Sequence, residues 1–86
     1  LILITMKPVA IYTTETCSYC KLAKEFFQKN NVQYQEFNVG TDLEKRQEMI
    51  EKSGQMGVPV ITIDGEVVVG FNKPRLQELL GVVETA

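Results

Sequence analysis

The sequence contains no histidine, no tryptophan and only two cysteines among its 86 residues. Without histidine there is no Ser-His or Cys-His catalytic couple and no two-cysteine, two-histidine zinc site. Long apolar runs are missing as well. The opening Leu1-Ile2-Leu3-Ile4 is far short of the roughly 20 residues that span a bilayer. It also lacks the basic start and cleavage site of a signal peptide, so the cytoplasm is the expected compartment, where thiols stay reduced. Nor is there an excess of positive charge. Nine Lys and Arg against eleven Asp and Glu leave a net charge of −2, and the cations are scattered. A nucleic-acid reader would show a basic stripe, so neither nucleic acid nor membrane is an expected partner.

What is present has the balance of an ordinary globular chain: 44% hydrophobic and 23% charged, which excludes disorder and collagen-like repeats. The length accommodates one domain over residues 1–86. Met6-Lys7-Pro8 reads as a natural start, so residues 1–5 are expected to be an N-terminal extension or a remnant of expression, or else to lengthen the first strand. Val9-Ala10-Ile11-Tyr12-Thr13 is a β-favouring run. Glu15-Thr16 then leads into a helix whose apolar face is Leu22, Ala23, Phe26 and Phe27, stopped by Asn30-Asn31. The alternating segment Val32 to Val39 predicts a half-buried strand. Thr41-Asp42 caps a second helix carrying Leu43, Met49 and Ile50 and ending near Gly54.

A third strand follows from Val58 to Ile63, and Asp64-Gly65 is a two-residue hairpin turn into Glu66-Val67-Val68-Val69. Pro74 suits the first turn of a last helix with Leu76, Leu79, Leu80 and Val83 on one face. The predicted order is β-α-β-α-β-β-α, an α/β sandwich in which strands separated by helices pair in parallel and the final hairpin adds an antiparallel edge.

Both cysteines fall where the first strand hands over to the first helix, in Cys17-Ser18-Tyr19-Cys20. Cysteines three apart lie on one side of a helical turn, within disulfide reach. Cys17 stands at the helix N-terminus, where unpaired amides and the dipole favour an anion, so its pKa is expected below the free value of ~8.5. Lys21 and Lys24 add positive charge nearby, and Cys20, one turn in, is shielded and suited to resolving a mixed disulfide. Half a zinc site would have no further Cys or His to complete it, and a purely structural disulfide across so short a loop would stabilise little. The motif therefore points to redox chemistry. Val58-Pro59 is the second feature, because proline at the start of a central strand removes a ladder donor. A cis bond there would turn backbone polar groups toward an open site.

Cys17-Ser18-Tyr19-Cys20, Gly54-Gln55-Met56-Gly57-Val58-Pro59 and Gly70-Phe71 resemble the glutaredoxin family, over residues 8 to about 81, and particularly its small bacterial redoxin-like members. The resemblance implies a thioredoxin fold, a four-stranded mixed sheet flanked by three helices, with a cis Pro59 beside the redox pair. It implies that Cys17 is the nucleophile and Cys20 the resolving thiol, with Ser18 and Lys21 in support. Tyr19, Val58, Pro59, Gly70 and Phe71 would form the substrate or glutathione edge, the Val58 backbone bonding the peptide part of glutathione. No metal and no tightly bound cofactor are implied, with glutathione as co-substrate.

Several positions depart from the family pattern. Ser18 replaces a common proline, Thr14 a common lysine and Gly57 a threonine. Phe71 stands for a second glycine, and Lys73 for the aspartate that would hold the glutathione amino group. The Gly70-Phe71 pair is similar to redoxins that serve ribonucleotide reductase and are reduced by thioredoxin reductase. The expected partners are thus glutathione, thioredoxin reductase and disulfide proteins such as ribonucleotide reductase, and the expected state is a monomer. An iron–sulfur cluster carrier, with Cys17 from two chains and two glutathiones, is the alternative of a different class. Ser18 suits it, and the missing glutathione anchors argue against it. Phe26, Phe27 and Phe37 are expected in the core. The charged residues of the second helix are expected on a solvated face, with Arg46 or Gln47 as candidates for a ligand carboxylate. Met56 and Phe71 are candidates for an apolar patch facing a protein partner.

Overall fold

The computed structural model describes residues 8–81. The readings of residues 1–5 and of Val83 lie outside them. Seven elements follow one another: β1 (Val9–Thr13), α1 (Ser18–Lys29), β2 (Gln35–Asn38), α2 (Leu43–Ser53), β3 (Val60–Ile63), β4 (Glu66–Val69) and α3 (Lys73–Leu80). The strands form one mixed sheet in the order β2-β1-β3-β4. β1 and β2 are parallel, and β3 is antiparallel to both β1 and β4.

Strand alternation divides the core between the two sheet faces. Val9, Ile11, Ile61, Ile63 and Val68 point to one face and pack with Ala23, Phe26 and Phe27 of α1 and Leu76 of α3. Tyr12 and Val60 point to the other and pack with Val39 and with Met49 of α2. Phe37, expected in the core, is half-buried against this second cluster and stacks at a tilt on Tyr12, with ring centroids 5.5 Å apart. Burying each large apolar side chain contributes roughly 1.5–3 kcal/mol, so α1, with Phe26 and Phe27 both inside, is firmly fastened to the sheet.

Four sequence expectations are corrected. The rule that strands separated by helices pair in parallel holds for β1 and β2 but not for β3. Val60 stands opposite Tyr12 and Ile63 opposite Val9, so β3 joins the sheet at the end where β1 leaves it and runs back. Apolar alternation defines a face and carries no strand direction. Second, β2 begins at Gln35 rather than Val32. Asn31 is left-handed (φ 57°), and the amides of Asn31 and Val32 return to the carbonyls of Gln28 and Phe27. This paired closure of the helix end uses a donor that a strand would need. Third, β3 starts at Val60, after a cis Val58–Pro59 peptide. Fourth, Leu22 and Leu43 are exposed, at 44% and 69%. The buried stripe of α1 is Cys20, Ala23, Phe26 and Phe27, so the cysteine takes the place expected for Leu22.

The turns follow their local chemistry. Asp64 and Gly65 both have positive φ, 49° and 87°, as the tight turn of a twisted hairpin requires. Asp42 and Asn72 cap α2 and α3 by accepting the amides of Lys45 and Arg75.

On the α2 face the Tyr12 hydroxyl donates to Glu48 Oε1 at 3.1 Å. Lys45 and Lys52 hold the same carboxylate at 2.9 and 3.0 Å, and Lys45 also sits 4.4 Å above the Phe37 ring. Hydrogen bonds from Lys45 and then Lys52 lower the Glu48 pKa to about 2. A depressed carboxylate stabilises the fold fully above its ordinary value of 4.5 and loses that contribution as pH falls toward about 2. Glu48 is partly solvated, which limits the gain to about 1 kcal/mol. Urea unfolding of Glu48→Gln should therefore show a loss of about that size at neutral pH and a flatter acid limb than the parent.

Candidate active site

β1 ends at Thr13, and Thr14-Glu15-Thr16 turns the chain into α1, with the Cys17 amide donating to the Thr14 carbonyl at 3.4 Å. Cys17 is the residue that caps the helix. Its backbone is extended, and its Sγ accepts the Cys20 amide at 3.1 Å. The free amides of a helix start need acceptors, and here the acceptor is sulfur. No acidic residue lies in the first turn of α1, so the positive end of the helix faces Cys17 without an internal counter-charge.

Cys17 and Cys20 are joined as a disulfide with Cα atoms 5.2 Å apart, inside the ordinary range for such a bond. Cys17 is half-buried, whereas Cys20 is 1% exposed. The outer sulfur is thus within reach of a second molecule, and the inner one sits against the core.

A small cavity of about 180 Å³ opens beside Cys17, lined by Thr14, Lys21, Lys24 and Glu36 among others. Lys24 stands near Cys17 as expected, with its charge paired. Its Nζ pairs with Glu36 Oε2 at 2.9 Å, and the same oxygen accepts the Thr13 hydroxyl at 2.9 Å. The Lys24 hydrogen bond, with help from Thr13, holds the Glu36 carboxyl below its usual pKa. Lys21 is exposed on the rim of this cavity.

Pro59 comes to the same end of the sheet. Val60 pairs with Tyr12, so Pro59 lies one step beyond, toward the loop that carries Cys17. The Pro59 carbonyl accepts the Gly70 amide at 2.8 Å, and Gly70 has φ +80°, a backbone state that favours glycine. Phe71, next in the chain, meets Phe26 of the dithiol helix edge-on with centroids 6.1 Å apart. It shares a second cavity, about 220 Å³, with Leu22 and Lys73. The structure therefore joins Cys17 to Cys20, Pro59 to Gly70, and Phe71 to α1.

Tyr19, between the two cysteines, is exposed at 64%, as is Met56 at 59%, and Gln47 pairs with Glu51 on the exposed side of α2. A cavity of about 450 Å³ lies at the far end of the sheet, between Pro8 and the Asp64-Gly65 turn, and holds none of the expected site residues. Sequence reasoning missed the Lys24–Glu36–Thr13 group, whose members are far apart in the chain. It also missed Gln55, which bonds both backbone groups of Gly57. A glutamine two residues before a glycine is a weak signal for such a contact.

The strand order and the dithiol at the mouth of α1, level with a cis proline, define a thioredoxin-fold thiol–disulfide redox protein. Comparison with known proteins narrows this further. The glutaredoxin family model matches residues 9–68, and the chain belongs to the glutaredoxin family of thiol–disulfide oxidoreductases. A glutaredoxin-like 8.6 kDa protein of the rubredoxin operon of Clostridium pasteurianum is 44% identical over 72 residues, covering 84% of this chain and 96% of its own. Glutaredoxin 3 of Escherichia coli is 43% identical over 65 residues, covering 76% and 78%. Among solved structures, a thioredoxin-like protein superposes with a TM-score of 0.80 at 40% identity, covering 84% of this chain and 99% of its own. A glutaredoxin of Archaeoglobus fulgidus does so at 0.78 and 26% identity, covering 86% of each. No described helix is long and apolar enough to cross a membrane.

The difference in exposure between the two sulfurs has a direct readout. In the reduced protein, brief treatment with iodoacetamide followed by peptide mapping should find Cys17 alkylated at least about tenfold faster than Cys20.

Proposed function

We propose that the chain is a dithiol electron carrier that reduces protein disulfides or glutathione mixed disulfides, with Cys17 as the attacking thiolate. Cys17 Sγ attacks one sulfur of the substrate disulfide, forming a Cys17–substrate disulfide and expelling the other sulfur as a thiolate that takes up a proton. Cys20, giving up its own proton, then attacks Cys17 Sγ. The Cys17–Cys20 bond forms and the second substrate thiol leaves. Two electrons pass to the substrate, and the protein ends oxidised. The observation that carries this reading is the asymmetry of the pair: Cys17 caps the helix and reaches solvent, and Cys20 is buried one turn behind it. Cys17→Ser should lose all turnover in a disulfide-reduction assay, whereas Cys20→Ser keeps reactions that pass through a glutathione mixed disulfide. Turnover retained by Cys17→Ser contradicts the assignment.

The proposed setting is the cytoplasm, with the protein acting as a monomer on disulfide proteins such as ribonucleotide reductase. Glutathione is the proposed co-substrate. A second reading, re-reduction by thioredoxin reductase, is favoured by Lys73. This residue opens α3 where the family resemblance implies an acid for the glutathione amino group, so that anchor is missing. Phe71, placed against α1, supports the same reading. Oxidised protein given NADPH with glutathione and glutathione reductase, or with thioredoxin reductase, should recover its thiols with at least one system. Recovery with thioredoxin reductase alone selects the second reading, and recovery with neither contradicts both.

A further inference from the structure

The segment between α2 and β3 is organised by one side chain. Gln55 Oε1 accepts the Gly57 amide at 2.7 Å, and Gln55 Nε2 donates to the Gly57 carbonyl at 3.0 Å. Both backbone polar groups of Gly57 are thereby taken by a single carboxamide. The backbone of Gln55 is anchored separately, its amide donating to Ser53 Oγ at 3.3 Å at the end of α2. A Cβ on Gly57 would stand 2.7 Å from Gln55 Oε1, so a side chain at position 57 would displace the carboxamide from its present place.

The next residue is Val58, where the chain bends into the cis proline and where the following ring disfavours helical and favours extended backbone angles. Successive residues of an extended chain direct their N–H and C=O pairs to opposite edges. Fixing Gly57 on one edge therefore directs Val58 to the other. Among the described residues nothing bonds the Val58 amide or carbonyl. An open N–H and C=O pair beside a strand is a docking edge for an extended peptide backbone, and this one lies at the end of the sheet where the Cys17–Cys20 disulfide sits.

We propose that Gln55 is a positioning residue for peptide disulfides: by closing Gly57 it holds Val58 in the orientation that receives the substrate backbone beside Cys17. The inference rests on the disulfide-exchange reading given above and adds a distinction among substrates. A disulfide with a peptide backbone gains from the arrangement. A small disulfide without one does not.

The test compares a short peptide disulfide with hydroxyethyl disulfide, which has no backbone to place. Each reacts with pre-reduced parent protein, Gln55→Ala, Gly57→Ala and the double variant, without glutathione. Loss of one well-placed hydrogen bond corresponds to about a fivefold change in rate. Gln55→Ala and Gly57→Ala should each slow the peptide disulfide about fivefold and leave hydroxyethyl disulfide within about twofold. Because both substitutions remove the same contact, the double variant should be no slower than either single one. An unchanged ratio between the two substrates overturns the inference. So do effects that multiply in the double variant, or equal slowing of both substrates, which marks a merely structural role. Failure of the parent protein to reduce either disulfide contradicts the oxidoreductase reading itself, and this inference with it.

Discussion

The first turn of a helix leaves amide groups without carbonyl partners, and in α1 one of these amides, that of Cys20, is aimed at Cys17 Sγ from 3.1 Å. A sulfur in that position is stabilised as an anion by the bond and by the helix dipole together. The chain has no histidine to act as a base, and in the proposed exchange this placement would take its part. It also sets the division of labour in the pair. A residue that caps a helix lies at its outer end, and a residue three further on lies one turn deeper, so Cys17 reaches solvent and Cys20 does not.

Such a placement is useful only if the helix stays where it is. Ala23, Phe26 and Phe27 fix α1 to one face of the sheet through the larger core cluster, while Tyr12, Val60 and Met49 tie α2 to the other. The antiparallel run of β3 completes the arrangement. Because β3 joins the sheet beside the end of β1, the segment ahead of it, from Gln55 to Pro59, is delivered to the edge where the dithiol lies. Gly70 then fastens that edge by donating to the Pro59 carbonyl.

Much of this was legible in the residues. β1 has the predicted limits, α2 begins at its predicted cap, Pro74 lies in the first turn of α3, and the Asp64-Gly65 hairpin has the expected turn. These are local properties, set by periodicity and by residues with particular backbone preferences. The direction of β3 was not legible, because Val60 to Ile63 presents the same apolar alternation whichever way it runs. Leu22 misled for a related reason. Helical period marks a stripe, but which edge of the stripe meets the sheet depends on packing, and Cys20 occupies the buried position instead. At the site, the cysteines and Pro59 stood out because their chemistry is unusual. The neutralisation of Lys24 by Glu36 and the closing of Gly57 by Gln55 arise from side chains with many ordinary uses, and became visible only in three dimensions.

The account depends on a directional exchange in which the half-buried outer sulfur attacks and the fully buried inner sulfur resolves. Trapping of the intermediate tests that direction most directly. Cys20→Ser and Cys17→Ser proteins, each with a single thiol, would be incubated with a peptide disulfide, and the mixed disulfide measured by intact mass. The account predicts a rapidly formed adduct on Cys17 in the first protein and little or none on Cys20 in the second. Equal adduct formation by the two, or formation only on Cys20, would contradict it.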